Sequence, residues 1–311
     1  MTAAATPEAP RPVRSSLDAA GPSRTAWDRW WFGPVPRARI AWLRIIGYVF
    51  LPFDMLLLTS SSLAHARLPG RPVPAGPARP AAASSRAHPV GHVHAAGGDD
   101  RGGLVAATGR LLPRASGYAA ACGYLWWVTV SMSYGKVDHD HLALVVALFV
   151  LPSVGRAKVG DTARCEASAW SVRGIQIAVV AAYFLSAWAK VRIGGFPAWP
   201  NGSTVQWALS RRGTPIGRVF IDHPLLLKAS QWFMFTAEAI SPVLLFLRGR
   251  PLYLLVLFFA GFHVVTYALM TIHFLPHAIW LAAFLPLERL TGLLPERLRG
   301  RAPEAGEPAA S

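Results

Sequence analysis

The chain has 311 residues, of which 53% are hydrophobic and 15% charged, with a mean hydropathy of +0.34. A soluble domain of this size needs far more charge on its surface, so the composition is that of an all-α polytopic membrane protein. A net charge of +15 points to nucleic acid only in a soluble chain. Here the arginines sit in short segments between apolar runs, so helix orientation and anionic lipid account for them and no nucleic-acid partner is expected.

Residues 1–26 are rich in Pro, Ala and Arg and have no early apolar core, so they read as a disordered tail and not a signal peptide. Trp27, Trp30, Trp31 and Phe32 among Arg29, Arg37 and Arg39 read as an interfacial anchor, and with the first spanning helix, at 40–58, they make a segment 27–59. That helix is long enough, at ~1.5 Å per residue, for a ~30 Å hydrocarbon core. Arg44 reads as snorkelling to the near interface, and Asp54, followed by Thr59 and serines, as marking the far one. Of the two cysteines, Cys122 lies in an apolar run and Cys165 in a basic loop, which makes no disulfide framework.

Residues 60–103 have another composition. No Phe, Trp or Tyr occurs between Phe53 and Tyr118, and the prolines are too dense for a helix. His88, His92 and His94 invite a metal reading, but no acidic or Cys partner stands near them. Apolar order resumes at 104, and helices are expected at 116–133, 141–154, 174–191, 226–247, 252–270 and 274–287. With the first helix they make a bundle of about seven transmembrane helices, in which 104–288 is the main membrane domain and 289–311 a tail.

Basic residues cluster at 156–173, at Arg248 and Arg250, and from Arg289 to Arg301, which puts these segments and both termini on the cytoplasmic side. Segments 134–140 and 192–225 then face outward. The alternation requires one more crossing between Ser60 and Arg110, which Pro/Arg-rich sequence cannot supply without stranding backbone donors and charges in lipid. A further helix therefore reads as missing or scrambled at 60–103, as out-of-frame translation of a high-GC gene would leave it.

The polar groups inside the apolar runs are the candidates for chemistry. Residues 173–202, RGIQIAVVAAYFLSAWAKVRIGGFPAWPNG, are apolar from Ile175 to Ala189 and end on Lys190 and Arg192. Lys190 has two readings: an amine snorkelling to the headgroups, or an amine held in low dielectric and able to act as a base. Lys136-Val137-Asp138-His139-Asp140-His141 form the outer turn before a helix, either functional or a hydrated loop with Asp as helix N-cap. Glu238 lies midway along its span, where a carboxylate must be paired or protonated. His263 is equally deep on the next, antiparallel helix, either bonded to a backbone carbonyl or meeting Glu238 at similar depth. His273 and His277 have a spacing that could bind a metal, but no clustered His motif accompanies them and no metal is expected. Trp199 and Phe196 could cover a flat ring or anchor the belt.

Tyr183-Phe184-Leu185-Ser186-Ala187-Trp188-Ala189-Lys190-Val191, with Trp199 and Asn201-Gly202, resembles the matching helix and loop of the vitamin K-dependent gamma-carboxylase family and of its bacterial relatives, the horizontally transferred transmembrane (HTTM) family. In the carboxylases this segment ends in two lysines, the second being the base; here they are Ala189 and Lys190. His139 and Leu142 resemble a carboxylase histidine with a leucine three places on, Asp138 standing where those proteins have asparagine. Phe262-His263 and the Glu238…Pro242 pattern are similar too. The resemblance covers 116–287 and not 60–103.

What it implies is a quinol-dependent oxygenase or carboxylase-like enzyme, of the carbon–carbon lyase and quinol epoxidase type. Lys190 would be the base and His139 would orient the ring or hydrogen-bond the developing oxyanion. Glu238, His263, Trp199 and Asp138 would bind the quinone. The implied cofactor is a reduced, menaquinol-like quinone, with O2 and CO2 as co-substrates. Implied partners are the lipid bilayer of the inner (plasma) membrane, a lipid-soluble quinone and a secreted peptide. The carboxylases carry a large lumenal domain that binds their protein substrate, and only 288–311 follow the last helix here, so quinol oxygenation is expected ahead of peptide carboxylation. The alternative is a non-enzymatic membrane factor for maturation of, or immunity to, a secreted peptide. A transporter is disfavoured, since no inverted repeat is visible.

Overall fold

A computed structural model of the chain describes residues 25–59, 113–133 and 138–295. The expected loss of a helix at 60–103 lies outside the described residues, as do Lys136 and Val137. Helix α1 (Ala26–Phe32) opens on a capping box, in which Thr25 Oγ1 accepts from the Asp28 N–H at 3.1 Å and the Asp28 carboxylate accepts from the Thr25 N–H at 3.0 Å. Its tryptophans are docked as well as exposed. Trp30 Nε1 donates to the Leu245 carbonyl at 3.3 Å, and the Arg173 guanidinium lies 4.7 Å from the Trp30 ring, while Trp27 is 64% exposed.

A two-residue strand, β1 (Val35–Pro36), pairs antiparallel with β2 (Arg164–Cys165). Between them lie α2 (Arg37–Phe53), which runs on as a π-helical turn at Asp54–Leu58, α3 (Pro113–Ser133) and α4 (Leu142–Val150). Helix α4 is flanked by 3-10 turns at His139–His141 and Leu151–Val154. The long α5 (Glu166–Arg192) follows. Segment 192–225, read as facing outward with no helix assigned to it, carries α6 (Ser203–Arg212) and α7 (Pro215–Arg218). Then come α8 (Pro224–Ile240, continued by a 3-10 turn to Leu245), α9 (Gly249–Met270) and α10 (Leu275–Ala278, continued as 3-10 helix to Phe284). A last 3-10 segment spans Leu287–Leu293.

Every apolar run read as a span has helix at its place. Among the described residues three helices, Arg37–Leu58, Glu166–Arg192 and Gly249–Met270, are long and apolar enough to cross a membrane. Helix α9 turns apolar residues outward: Leu254, Leu257 and Val264 are each 68% exposed. That inverts the pattern of a helix on a water-soluble domain and suits a face in contact with lipid.

Helix α5 is the organising element, packed against α1, α2, α4, α8 and the 3-10 helix that ends α10. Ile40, Leu43, Leu144, Leu148, Ile175, Val179 and Trp280 are fully buried around it. Arg44 does not snorkel. It is 1% exposed, and its Nη2 donates to the Leu151 carbonyl at 2.7 Å, in the 3-10 turn that follows α4. Asp54 marks no interface either, because it is completely buried. Arg39 clasps Glu288 with two hydrogen bonds of 2.7 and 2.6 Å, tying the start of α2 to the last 3-10 segment.

Candidate functional site

Tyr183, Ser186 and Lys190 recur at i, i+3 and i+7 on α5 and so form one stripe along the helix. At its end Lys190 turns inward: Nζ pairs with the Glu238 carboxylate of α8 and donates to Ser186 Oγ at 2.9 Å. The same nitrogen lies 5.1 Å from the centroid of the Trp199 ring, a cation–π contact. The two side chains are 17% and 11% exposed, so the pair is largely removed from solvent and each charge depends on the other.

The loop that delivers Trp199 is fastened by Gln231, which is fully buried. Its Oε1 accepts from the Gly202 N–H at 2.9 Å, and its Nε2 donates to the Trp199 carbonyl at 2.7 Å. Gly202 has φ +96°, and a Cβ there would sit 3.0 Å from the Lys228 backbone nitrogen, so glycine lets the loop lie against α8.

Two turns back along α5, about 10 Å of rise, the Tyr183 hydroxyl shares a 2.5 Å hydrogen bond with His263 Nε2 of α9. The Tyr183 ring also meets His277 edge-on, with centroids 4.5 Å apart. Glu238 and His263, expected to meet each other, instead share a cleft and take separate partners from the α5 stripe. The helical rise between Tyr183 and Lys190 keeps those partners apart.

These groups open onto a cleft of about 300 Å³. Lys190, Glu238, Trp199, His263 and His139, five of the candidates read from the sequence, all line it. Asp138 is not part of its wall; Asp140, two residues on, is. Phe196 stacks on Phe235 outside it, and His277 lines it without His273. Met234, Phe262, Met270 and Phe274 give the remaining wall an apolar character, with Val205 and Ala208 of α6 on one side. Tyr183, Ser186 and Gln231 are not among the candidates read from the sequence, which weighed His277 only as a metal ligand beside His273. The helical spacing to Lys190 was a readable signal for the first two. Gln231 had none, since its role depends on the conformation of a loop distant in sequence.

Three buried nitrogens of the cleft, His263 Nδ1 and both ring nitrogens of His277, have no partner among the described residues, although the two side chains are 8% and 3% exposed. Unpartnered buried polar atoms are costly, so these nitrogens leave hydrogen-bonding capacity facing the cleft. No protein-family model, curated protein or solved structure matches the chain.

Proposed function

We propose that the chain is an integral membrane enzyme that binds a reduced quinone in this cleft and deprotonates it for reaction with oxygen, in the manner of the gamma-carboxylases it resembles. The observation that carries the reading is the Lys190–Glu238 pair set against the Trp199 ring in the wall of an apolar cleft. A cleft of about 300 Å³ is at the small end of ligand sites and suits one flat ring system. Its apolar middle lies between an amine–carboxylate end and an imidazole end with unpartnered nitrogens, which fits a ring carrying an oxygen on either side.

When bound, a reduced quinone supplies the electrons and the ionisable hydroxyls. Lys190 Nζ takes the hydroxyl proton after passing its own to Glu238, an exchange within the pair that separates no charge. Ser186 holds the amine in line, and Trp199 covers the ring face. His139, which also lines the cleft, supports the developing oxyanion. In the orientation set by the arginines, both termini are cytoplasmic, which takes one crossing beyond the seven apolar helices, and the cleft lies in the outer half, open to lipid-soluble ligands.

The test is anaerobic binding and aerobic consumption of a water-dispersible menaquinol analogue by the full chain in lipid nanodiscs. Oxygen-dependent consumption is expected, lost in Lys190→Ala and not restored by Lys190→Arg, since guanidinium does not give up its proton. Consumption that continues unchanged in Lys190→Ala removes Lys190 as the base. Absence of both binding and consumption favours the non-enzymatic reading.

A further inference from the structure

The same cleft touches a second set of buried titratable groups that the Lys190–Glu238 pair does not use. Asp54, at the π-helical end of α2, is fully buried. Its Oδ2 accepts from the Tyr124 hydroxyl at 2.8 Å and from the Thr59 hydroxyl at 3.3 Å, and Trp127 Nε1 donates to the Thr59 oxygen at 2.7 Å. Its Oδ1 lies 3.3 Å from His141 Nε2, and His141 Nδ1 lies 3.1 Å from Asp140 Oδ1. Of these three residues only Asp140 lines the cleft.

The proton count follows from the contacts. Both ring nitrogens of His141 face carboxylate oxygens, and each contact needs one proton to be a hydrogen bond. Two protons on the ring satisfy both and leave an imidazolium between two carboxylates, one negative charge in excess. The Lys190–Glu238 pair, by contrast, has no net charge to give. An excess charge away from water is unfavourable, so the Asp54–His141–Asp140 group has room for one further proton. It can take that proton only at Asp140. The unpartnered nitrogens of His263 and His277, each on a side chain more than nine-tenths buried, line the same cleft and would hold the ligand there. The other titratable groups near the two carboxylates are Tyr124, His139, His263 and His277.

We infer that Asp140, positioned by His141 and Asp54, is a second proton acceptor of the cleft, so that the dihydroxy-aromatic ligand gives up both of its hydroxyl protons there. The inference rests on reading the cleft as a quinol site. One ligand O–H bond breaks towards Lys190 Nζ and the other towards the Asp140 carboxylate. Each electron pair stays on its ligand oxygen, and His141 keeps both protons throughout.

Two measurements on the full chain in lipid bilayers test it. The first is nitrogen NMR of histidine-labelled protein without ligand, the His141 signals being assigned by their loss in His141→Asn. A ring protonated on both nitrogens at pH 7 is expected, reverting to one protonated nitrogen in Asp54→Asn, a change that a purely packing role for Asp54 would not produce. A neutral His141 in the unaltered chain overturns the inference. The second is anaerobic binding, read by tryptophan fluorescence, of 2-methyl-1,4-dihydroxynaphthalene and of its monomethyl ether. The diol is expected to bind about tenfold tighter, a charge-assisted hydrogen bond's worth, with the preference abolished in Asp140→Asn. Equal affinities in the unaltered chain overturn the two-proton ligand. If neither compound binds, the quinol reading falls and the two-proton ligand with it, while the NMR result still decides the state of the carboxylate–imidazole group.

Discussion

Replacing Lys190 by Met keeps the apolar stem and deletes the charge, leaving Glu238, 9% exposed, without its ammonium. The carboxylate then has two courses. Remaining ionised and unpaired in a buried site costs several kcal/mol. Taking up a proton costs an ordinary carboxyl, with pKa about 4.3, about 3.7 kcal/mol at pH 7 and only about 1 kcal/mol at pH 5. The cheaper course sets the ceiling, so the variant is expected to lose about 3 to 4 kcal/mol at pH 7 and about 1 kcal/mol at pH 5. The sign follows from linkage: the folded variant holds a proton that the unfolded chain has released, so its stability falls as pH rises above the ordinary carboxyl value. Adding Glu238→Gln removes the stranded charge and should recover about 2 kcal/mol of the loss at pH 7. The assay is denaturation by SDS in mixed micelles, followed by far-UV circular dichroism at both pH values. A Lys190→Met cost that is equal at pH 5 and pH 7, and that simply adds to the cost of Glu238→Gln, would refute the pairing.

Gln231→Leu preserves bulk but strands the Gly202 N–H and the Trp199 carbonyl; at about 1–3 kcal/mol for each unsatisfied group, the 199–202 loop should detach. Faster tryptic cleavage at the neighbouring Arg192 reads this out, and an unchanged cleavage rate contradicts it. Glu288 is held below the ordinary carboxylate value because the hydrogen bonds and charge of Arg39 outweigh the upward push of its partial burial. Its contribution is therefore complete above the unfolded value of 4.5 and disappears as pH falls through the lower folded value. At a partly exposed site this amounts to about 0.5–1 kcal/mol, and acid titrations of the parent and of Glu288→Gln should converge at low pH. Gly47→Ala places a Cβ 2.9 Å from the ring of Trp280, which is fully buried and unable to swing away. A loss of about 1–3 kcal/mol is expected, and a melting temperature equal to the parent's would show that the α2–α10 contact is looser than its geometry.

The helices were legible because their cause is local. A run of apolar residues must satisfy its own backbone to enter lipid, and the only segment-internal way to do so is a helix, whatever surrounds it. That reasoning located every described helix between α2 and α10 except the short pair α6 and α7, which owe their form to the loop around them. It also marked Lys190, Glu238 and His263 as anomalies, since a polar group in an apolar run is conspicuous in one dimension. Which anomaly meets which is not encoded locally. Arg44 faces the carbonyl of Leu151, Asp54 faces Tyr124 and His141, and Lys190 faces Glu238, partners 107, 70, 87 and 48 positions away. Lipid headgroups and buried partners satisfy a charge equally well on paper. Only the packing of α5 against its neighbours removes the first option, by closing the volume through which those side chains would have reached the interface.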